Sequence, residues 1–130
     1  MGKQLARLHK TVSENGQYGF FEDNFIGETV QVNSWKTSWA DFFVECRLQP
    51  QIELFEKNGY SLPNKDDLLT TVHSILSQHN PSPSLLHGDL WGGNLSFISS
   101  GPVIYDPACY YGDRETDIVM TKVFCYSYFY

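Results

Sequence analysis

Residues 85–97 read LLHGDLWGGNLSF, and they place His87, Asp89 and Asn94 within eight positions of one another, between two short apolar runs. A glycine-bearing turn flanked by apolar segments reads as the mouth of a hairpin. A second carboxylate, Asp106, closes the run VIYD 17 positions after Asp89. A returning hairpin brings both carboxylates to one end, where Asn94 joins them. An isolated HGD is commonly a turn in which Asp caps its own backbone. Asn94 and Asp106 are what move the reading from turn to chemistry.

Outward from this stretch the chain alternates helical and extended patterns. Leu5 and Leu8 have helical spacing, in a run short enough to be the tail of a helix. Residues 16–34 are rich in Gly, Asn and aromatics without a sustained period, which predicts a long ordered loop. Trp39, Phe42, Phe43, Cys46, Ile52 and Phe55 form an apolar helical stripe behind Ser38, an N-cap with Asp41 three positions on. Pro50 is expected to kink or divide that helix. Asn64 is expected to cap a second helix carrying Leu68, Leu69, Val72, Ile75 and Leu76, which NPSPS then stops. LLHGDL, NLSFI and PVIYD predict three short strands, and a last helix starts near Glu115 and runs through Val123. The expected fold class is α+β, mainly helical, with a small β-hairpin carrying the HGD loop.

Composition narrows the function classes. The chain has 130 residues, 42% hydrophobic and 15% aromatic, enough for one buried core and one domain spanning 1–130. A formal net charge of −6 with scattered basic residues argues against a binder of nucleic-acid backbones. Cys46, Cys109 and Cys125 are odd in number and include no CxxC pair, which points to a reducing, cytoplasmic setting and away from a thiolate zinc site. No apolar run approaches the roughly 20 residues that span a bilayer, so no membrane partner is expected. His9, His73 and His79 are scattered and read as solvated helix positions. Trp35 and Trp39 read as packing residues, and Gly92 and Gly93 as conformational relief within the loop.

The remaining grouping has a specific chemistry. An amide oxygen and a carboxylate suit the Mg²⁺ that accompanies a nucleotide, because magnesium takes hard oxygen ligands and keeps substrate phosphates in its shell. The other carboxylate is free to accept a hydroxyl proton. That division of labour fits phosphoryl transfer, in which positioning and charge neutralisation supply most of the catalysis.

HGDLWGGN resembles the catalytic loop HGDxxxxN of the kinase superfamily that includes aminoglycoside, choline and fructosamine kinases. The upstream blocks LARLHK, GFFEDNFIG and FFVECRLQPQIEL, with the downstream run GPVIYDPACYYGDRETDIVMT, narrow the likeness to the fructosamine/ketosamine kinase family. Four blocks in the right order carry it across nearly the whole chain. The resemblance implies ATP and Mg²⁺ as cofactors and a glycated amine, small or protein-borne, as substrate. It implies that Asp89 is the catalytic base, that Asn94 and Asp106 hold Mg²⁺, and that Trp91 forms a stacking wall for the ketosamine. His87 would orient the loop, Asp117 would tie the last helix to it, and Arg114 and Glu115 would line or support the site. It further implies a protein-kinase-like C-terminal lobe whose N-lobe and final helices are absent, so little turnover is expected from the chain alone. Exposed apolar faces, including the tail Tyr126, Tyr128, Phe129 and Tyr130, are expected to favour self-association. Two other readings compete: a non-catalytic kinase lobe acting as a binding module, and a kinase for an aminoglycoside or choline-type alcohol.

Overall fold

The structure, a computed structural model, describes residues 1–123, so the aromatic tail lies outside the described residues. Helices α1 (Gly2–Leu8), α2 (Trp39–Phe43), α3 (Gln49–Lys57), α4 (Lys65–Leu76) and α5 (Glu115–Val123) surround short antiparallel strands: β1 (Asn24–Ile26), β2 (Thr29–Gln31), β3 (Ser84–Leu86), β4 (Leu95–Ile98), β5 (Gly101–Ile104) and β6 (Tyr110–Gly112). The strands pair as β1 with β2, β3 with β6 and β4 with β5. The mixed fold, the strand at each of LLHGDL, NLSFI and PVIYD, and the Glu115–Val123 helix agree with the sequence reading.

The structure corrects the reading in several places. The expected loop over residues 16–34 contains the hairpin β1–β2, in register Asn24↔Gln31 and Ile26↔Thr29. The strand β3 pairs with neither of its neighbours but with β6, Leu85 opposite Tyr111. The HGD loop therefore leaves one sheet and enters another. Asn64 precedes α4 in the left-handed region, φ 63°, and makes no side-chain capping bond.

Ser38 does cap α2, its hydroxyl accepting from the Asp41 amide at 3.3 Å. Pro50 divides the helical stretch as expected, though through a π-helical turn and not a break. The backbone passes from α2 through a π-helical turn, Val44–Leu48, into α3, whose first turn holds Pro50. Proline has no N–H for the carbonyl four residues back and its ring crowds that carbonyl. Here that carbonyl belongs to Cys46, and it accepts instead from the Arg47 guanidinium at 2.8 Å. The wider turn gives the ring room, as π-bulges commonly do in helices under local conflict.

Trp39, Phe42 and Cys46 face a core shared with Tyr18, Leu86 and Tyr110. Trp39 stacks on Phe42 at 5.8 Å and Phe42 on Tyr110 at 5.5 Å. Trp39 is thus a packing residue, as read. Arg47 lies over the Phe42 and Tyr110 rings, 4.5 and 4.0 Å from their centroids. Its guanidinium also donates to the Val32 carbonyl and, at 2.7 Å, to the Asn33 amide oxygen. Burial pushes its pKa below the ordinary value, but an arginine remains charged throughout the working range. It thereby fastens the β1–β2 region to the helical core.

Arg47→Met keeps the packing but strands its buried acceptors, so it is expected to cost about 2–4 kcal/mol in urea unfolding. Lys36→Ala removes only the partly exposed pair with Glu45 and is expected to cost less than about 1 kcal/mol.

Candidate functional site

Asp117, in the first turn of α5, is 1% exposed. A buried carboxylate needs hydrogen bonds to offset its lost hydration. Asp117 accepts from the His87 amide at 2.9 Å and the Gly88 amide at 3.0 Å, and from the His9 ring at 2.9 Å. The residue therefore ties α1, the HGD loop and α5 together, and its place near the helix N-terminus suits a negative charge.

The loop turns at Gly88, whose φ of +81° is unfavourable for other residues. A Cβ there would stand 1.9 Å from the Ala108 carbonyl oxygen. That close approach lets the Ala108 amide reach the His87 carbonyl at 2.9 Å. The His87 ring donates through Nε2 to the Tyr105 carbonyl at 3.0 Å and accepts through Nδ1 from the Asp89 amide at 3.3 Å. Those partners assign a neutral, Nε2-protonated imidazole that joins the loop to the segment before Asp106.

Asn94, buried, ends a short 3₁₀ turn (Gly92–Asn94) just before β4, while Tyr105 and Asp106 directly follow β5. Pairing of Leu95 with Ile104 puts these flanking residues at one end of the β4–β5 hairpin. The Asn94 amide nitrogen donates to the Asp89 carboxylate and carbonyl, both at 2.9 Å, and lies 3.4 Å from the Asp106 carbonyl. Asp89, Asn94 and Asp106 thus meet at one end, with the Asp106 backbone held at φ 56°. With its nitrogen engaged, Asn94 keeps its amide oxygen for another partner. That oxygen and the exposed Asp106 carboxylate are hard donors of the kind magnesium accepts. Among the described residues no group of three or more His, Cys, Asp or Glu side chains converges as a metal cage, and a nucleotide-borne Mg²⁺ does not require one.

Trp91 is 37% exposed, and its indole occupies the space above Gly93, where a Cβ would lie 2.1 Å from a ring carbon. Neither Gly92 nor Gly93 adopts a positive φ. Gly93 therefore serves close packing, which corrects its reading as conformational relief. Arg114 and Glu115 are exposed and line a different cleft, with His79, Ser82, Ser84 and Asp113, at the start of β3. No side-chain hydrogen bond joins either residue to the loop.

Of the three histidines read as solvated, His73 and His79 keep partly exposed side chains and each pairs with a carboxylate, whereas His9 is buried, which corrects its reading. His9 is 8% exposed and bonded to Asp117, His73 meets Asp41 at 2.8 Å, and His79 meets Asp113 at 2.9 Å. The amides of β1–β2 were missed as well. Asn24 donates to the Cys109 carbonyl at 2.8 Å, and buried Gln31 to Ala108 at 3.0 Å and to Asn24 at 2.8 Å. These amides clamp the segment that carries Asp106.

Comparison with known proteins identifies the family. The family model described as fructosamine kinase matches residues 1–129. A Vibrio parahaemolyticus protein provisionally named a ketoamine kinase is 47% identical over 123 residues, covering 95% of this chain and 42% of its own. The chloroplastic protein-ribulosamine 3-kinase of Oryza sativa is 40% identical over 125 residues, 93% of this chain and 36% of the relative. A crystal structure from Haemophilus somnus, provisionally a fructosamine-3-kinase, superposes with a TM-score of 0.87 at 39% identity, covering 93% of this chain and 41% of that one. The chain belongs to the fructosamine kinase family. It spans 42% of the length of its Vibrio relative. Among the described residues no helix is long and apolar enough to cross a membrane.

Gly88→Ala is expected to lose several kcal/mol or fail to fold, since it combines a disfavoured φ with a backbone clash. Gly92→Ala meets nothing within 4 Å and is expected to leave the thermal midpoint within a degree or two of the parent.

Proposed function

We propose that the loop supports transfer of the γ-phosphoryl group of ATP to a sugar hydroxyl of a ketosamine, the adduct formed when a sugar condenses with an amine. The observation that carries this reading is the meeting of Asp89, Asn94 and Asp106 at one end of β4–β5. Family membership favours this acceptor over an aminoglycoside or choline-type alcohol.

Asp89 takes the hydroxyl proton as general base. Its carboxylate is oriented by the Asn94 amide, while its backbone amide is held by the His87 ring. The Asn94 amide oxygen and the Asp106 carboxylate would hold Mg²⁺, which when bound neutralises charge on the nucleotide phosphates. Trp91 offers an aromatic face against which the C–H side of a sugar packs, leaving the sugar's hydroxyls to polar partners. Asp117, His87 and the Ala108 amide keep the two halves of this arrangement in register. The chain serves as the catalytic lobe of a kinase-like fold, and the free Cys46 and Cys109 suit a reducing, cytoplasmic setting.

Two measurements test the reading. In the chain itself, Mn²⁺ used as a paramagnetic substitute for Mg²⁺ should bind with ATP, and Asp106→Asn should weaken that binding at least about tenfold. Unchanged Mn²⁺ affinity in Asp106→Asn would remove Asp106 from the metal site. For turnover, this chain can replace the matched segment of the Vibrio parahaemolyticus relative, with that relative as the control. Phosphate transfer to fructosyl-lysine is expected from the chimera and a loss of about 10²–10⁴-fold from Asp89→Asn. An equally active Asp89→Asn chimera would sink the assignment of the base.

A further inference from the structure

A second concavity lies outside the loop already described. It is a cavity of about 230 Å³ lined by Ser13, Glu14, Asn15, Phe21, Trp35 and Tyr111. Trp35 stacks near Tyr111 with centroids 6.1 Å apart, and Phe21 stands edge-on to Trp35 at 5.8 Å and 81°. Phe21 is 79% exposed, a large apolar ring in water beside a polar rim. An apolar surface rimmed by polar groups commonly marks a binding site.

The wall is fixed before any ligand arrives. A Cβ on Gly19 would lie 3.0 Å from a Trp35 ring carbon and 2.8 Å from the Asn33 carbonyl oxygen, so the indole rests directly on the backbone. Tyr111 is held beside it by paired backbone hydrogen bonds with Gly19, at 3.0 and 2.8 Å.

The polar rim selects the ligand's charge. The Ser13 hydroxyl donates to the Gln17 carbonyl at 2.7 Å, and the Asn15 amide oxygen accepts from the Gln17 amide at 2.9 Å. The Ser13 proton and the Asn15 amide oxygen are thus engaged by their own turn. Glu14 is exposed and, among the described residues, makes neither an ion pair nor a side-chain hydrogen bond. Three aromatic rings and one uncommitted carboxylate attract a cation, because ring faces and carboxylate are both negative. A neutral sugar would need several free donors and acceptors around it. The volume falls below the roughly 300–1,000 Å³ of drug-sized sites, which limits the occupant to a small head group.

We infer that Phe21, Trp35, Tyr111 and Glu14 form a binding site for an alkylammonium group. This inference does not rest on the kinase reading, since the cavity shares no lining residue with Asp89, Asn94 or Asp106.

The test is an NMR titration of the chain that follows the Trp35 indole N–H. Tetramethylammonium and n-butylammonium are expected to shift it saturably, whereas tert-butanol and methyl glucoside are not. Glu14→Gln should weaken the cation about fivefold. Phe21→Ala should weaken it further, and Phe21→Tyr, which keeps the ring, should retain it; parent-like spectral dispersion verifies folding in each. A lysyl tripeptide run beside n-butylammonium separates a peptide-borne amine from a free one, the tighter of the two being the source. Equal response to tert-butanol, preferential response to the glucoside, no response to either cation, or indifference to Phe21→Ala would each overturn the inference.

Discussion

A carboxylate removed from water must be surrounded by donors or it unfolds what surrounds it, and Asp117 meets that demand with the two backbone amides that begin the HGD loop. The third donor, His9, sits 108 positions away in sequence. Losing any one of the three leaves a buried charge under-satisfied, at a cost of several kcal/mol. The path of the loop is therefore coupled to the docking of α1 and of α5. It is not set by the local turn residues alone.

From that anchor the geometry propagates through short backbone links. The Gly88 turn admits the Ala108 carbonyl, the Ala108 amide bonds to His87, and the His87 ring bridges Tyr105 and the Asp89 amide. In the same segment, Gln31 and Asn24 hold the Ala108 and Cys109 carbonyls. The residues flanking Asp106 are thus gripped both from the loop and from β1–β2. Arg47 secures that hairpin region in turn, through Val32 and Asn33, to a core of stacked aromatic rings.

Much of this was legible in the sequence, and the remainder was hidden for identifiable reasons. The apolar stripe behind Ser38 and the periodic α5 are long enough for their period to be read. The strands β1, β2 and β6 are three residues each, too short for alternation to stand out from a Gly- and aromatic-rich background. The partnership of β3 with β6 depends on tertiary packing that no local pattern encodes. His9 failed for a related reason: it is defined by a carboxylate 108 positions away, and spacing of that order leaves no periodic trace. The meeting of Asn94 and Asp106 was legible because the β4–β5 hairpin places both, and hairpin return is a local property, whereas Asp89 reaches them through the Asp117-held loop. Pro50 was only half legible. Its lost hydrogen bond was foreseeable, but the substitute donor came from its third neighbour back, Arg47, through a π-turn.

Under the phosphoryl transfer proposed above, the weight of this scaffolding is understandable. In such a transfer little covalent chemistry falls to the protein, so the rate would depend on holding base, metal and acceptor in place, and an error of about 1 Å can cost roughly 10²-fold. A loop free to relax would separate Asp89 from the Asp106 segment. Asn94 opposes that separation, since its amide nitrogen binds Asp89 and lies beside the Asp106 carbonyl. Asp117 opposes it from beneath, by fixing the backbone from which Asp89 projects. The end of the β4–β5 hairpin where Asp89, Asn94 and Asp106 meet is in this sense assembled before any ligand arrives, which is what the proposed reading requires of it.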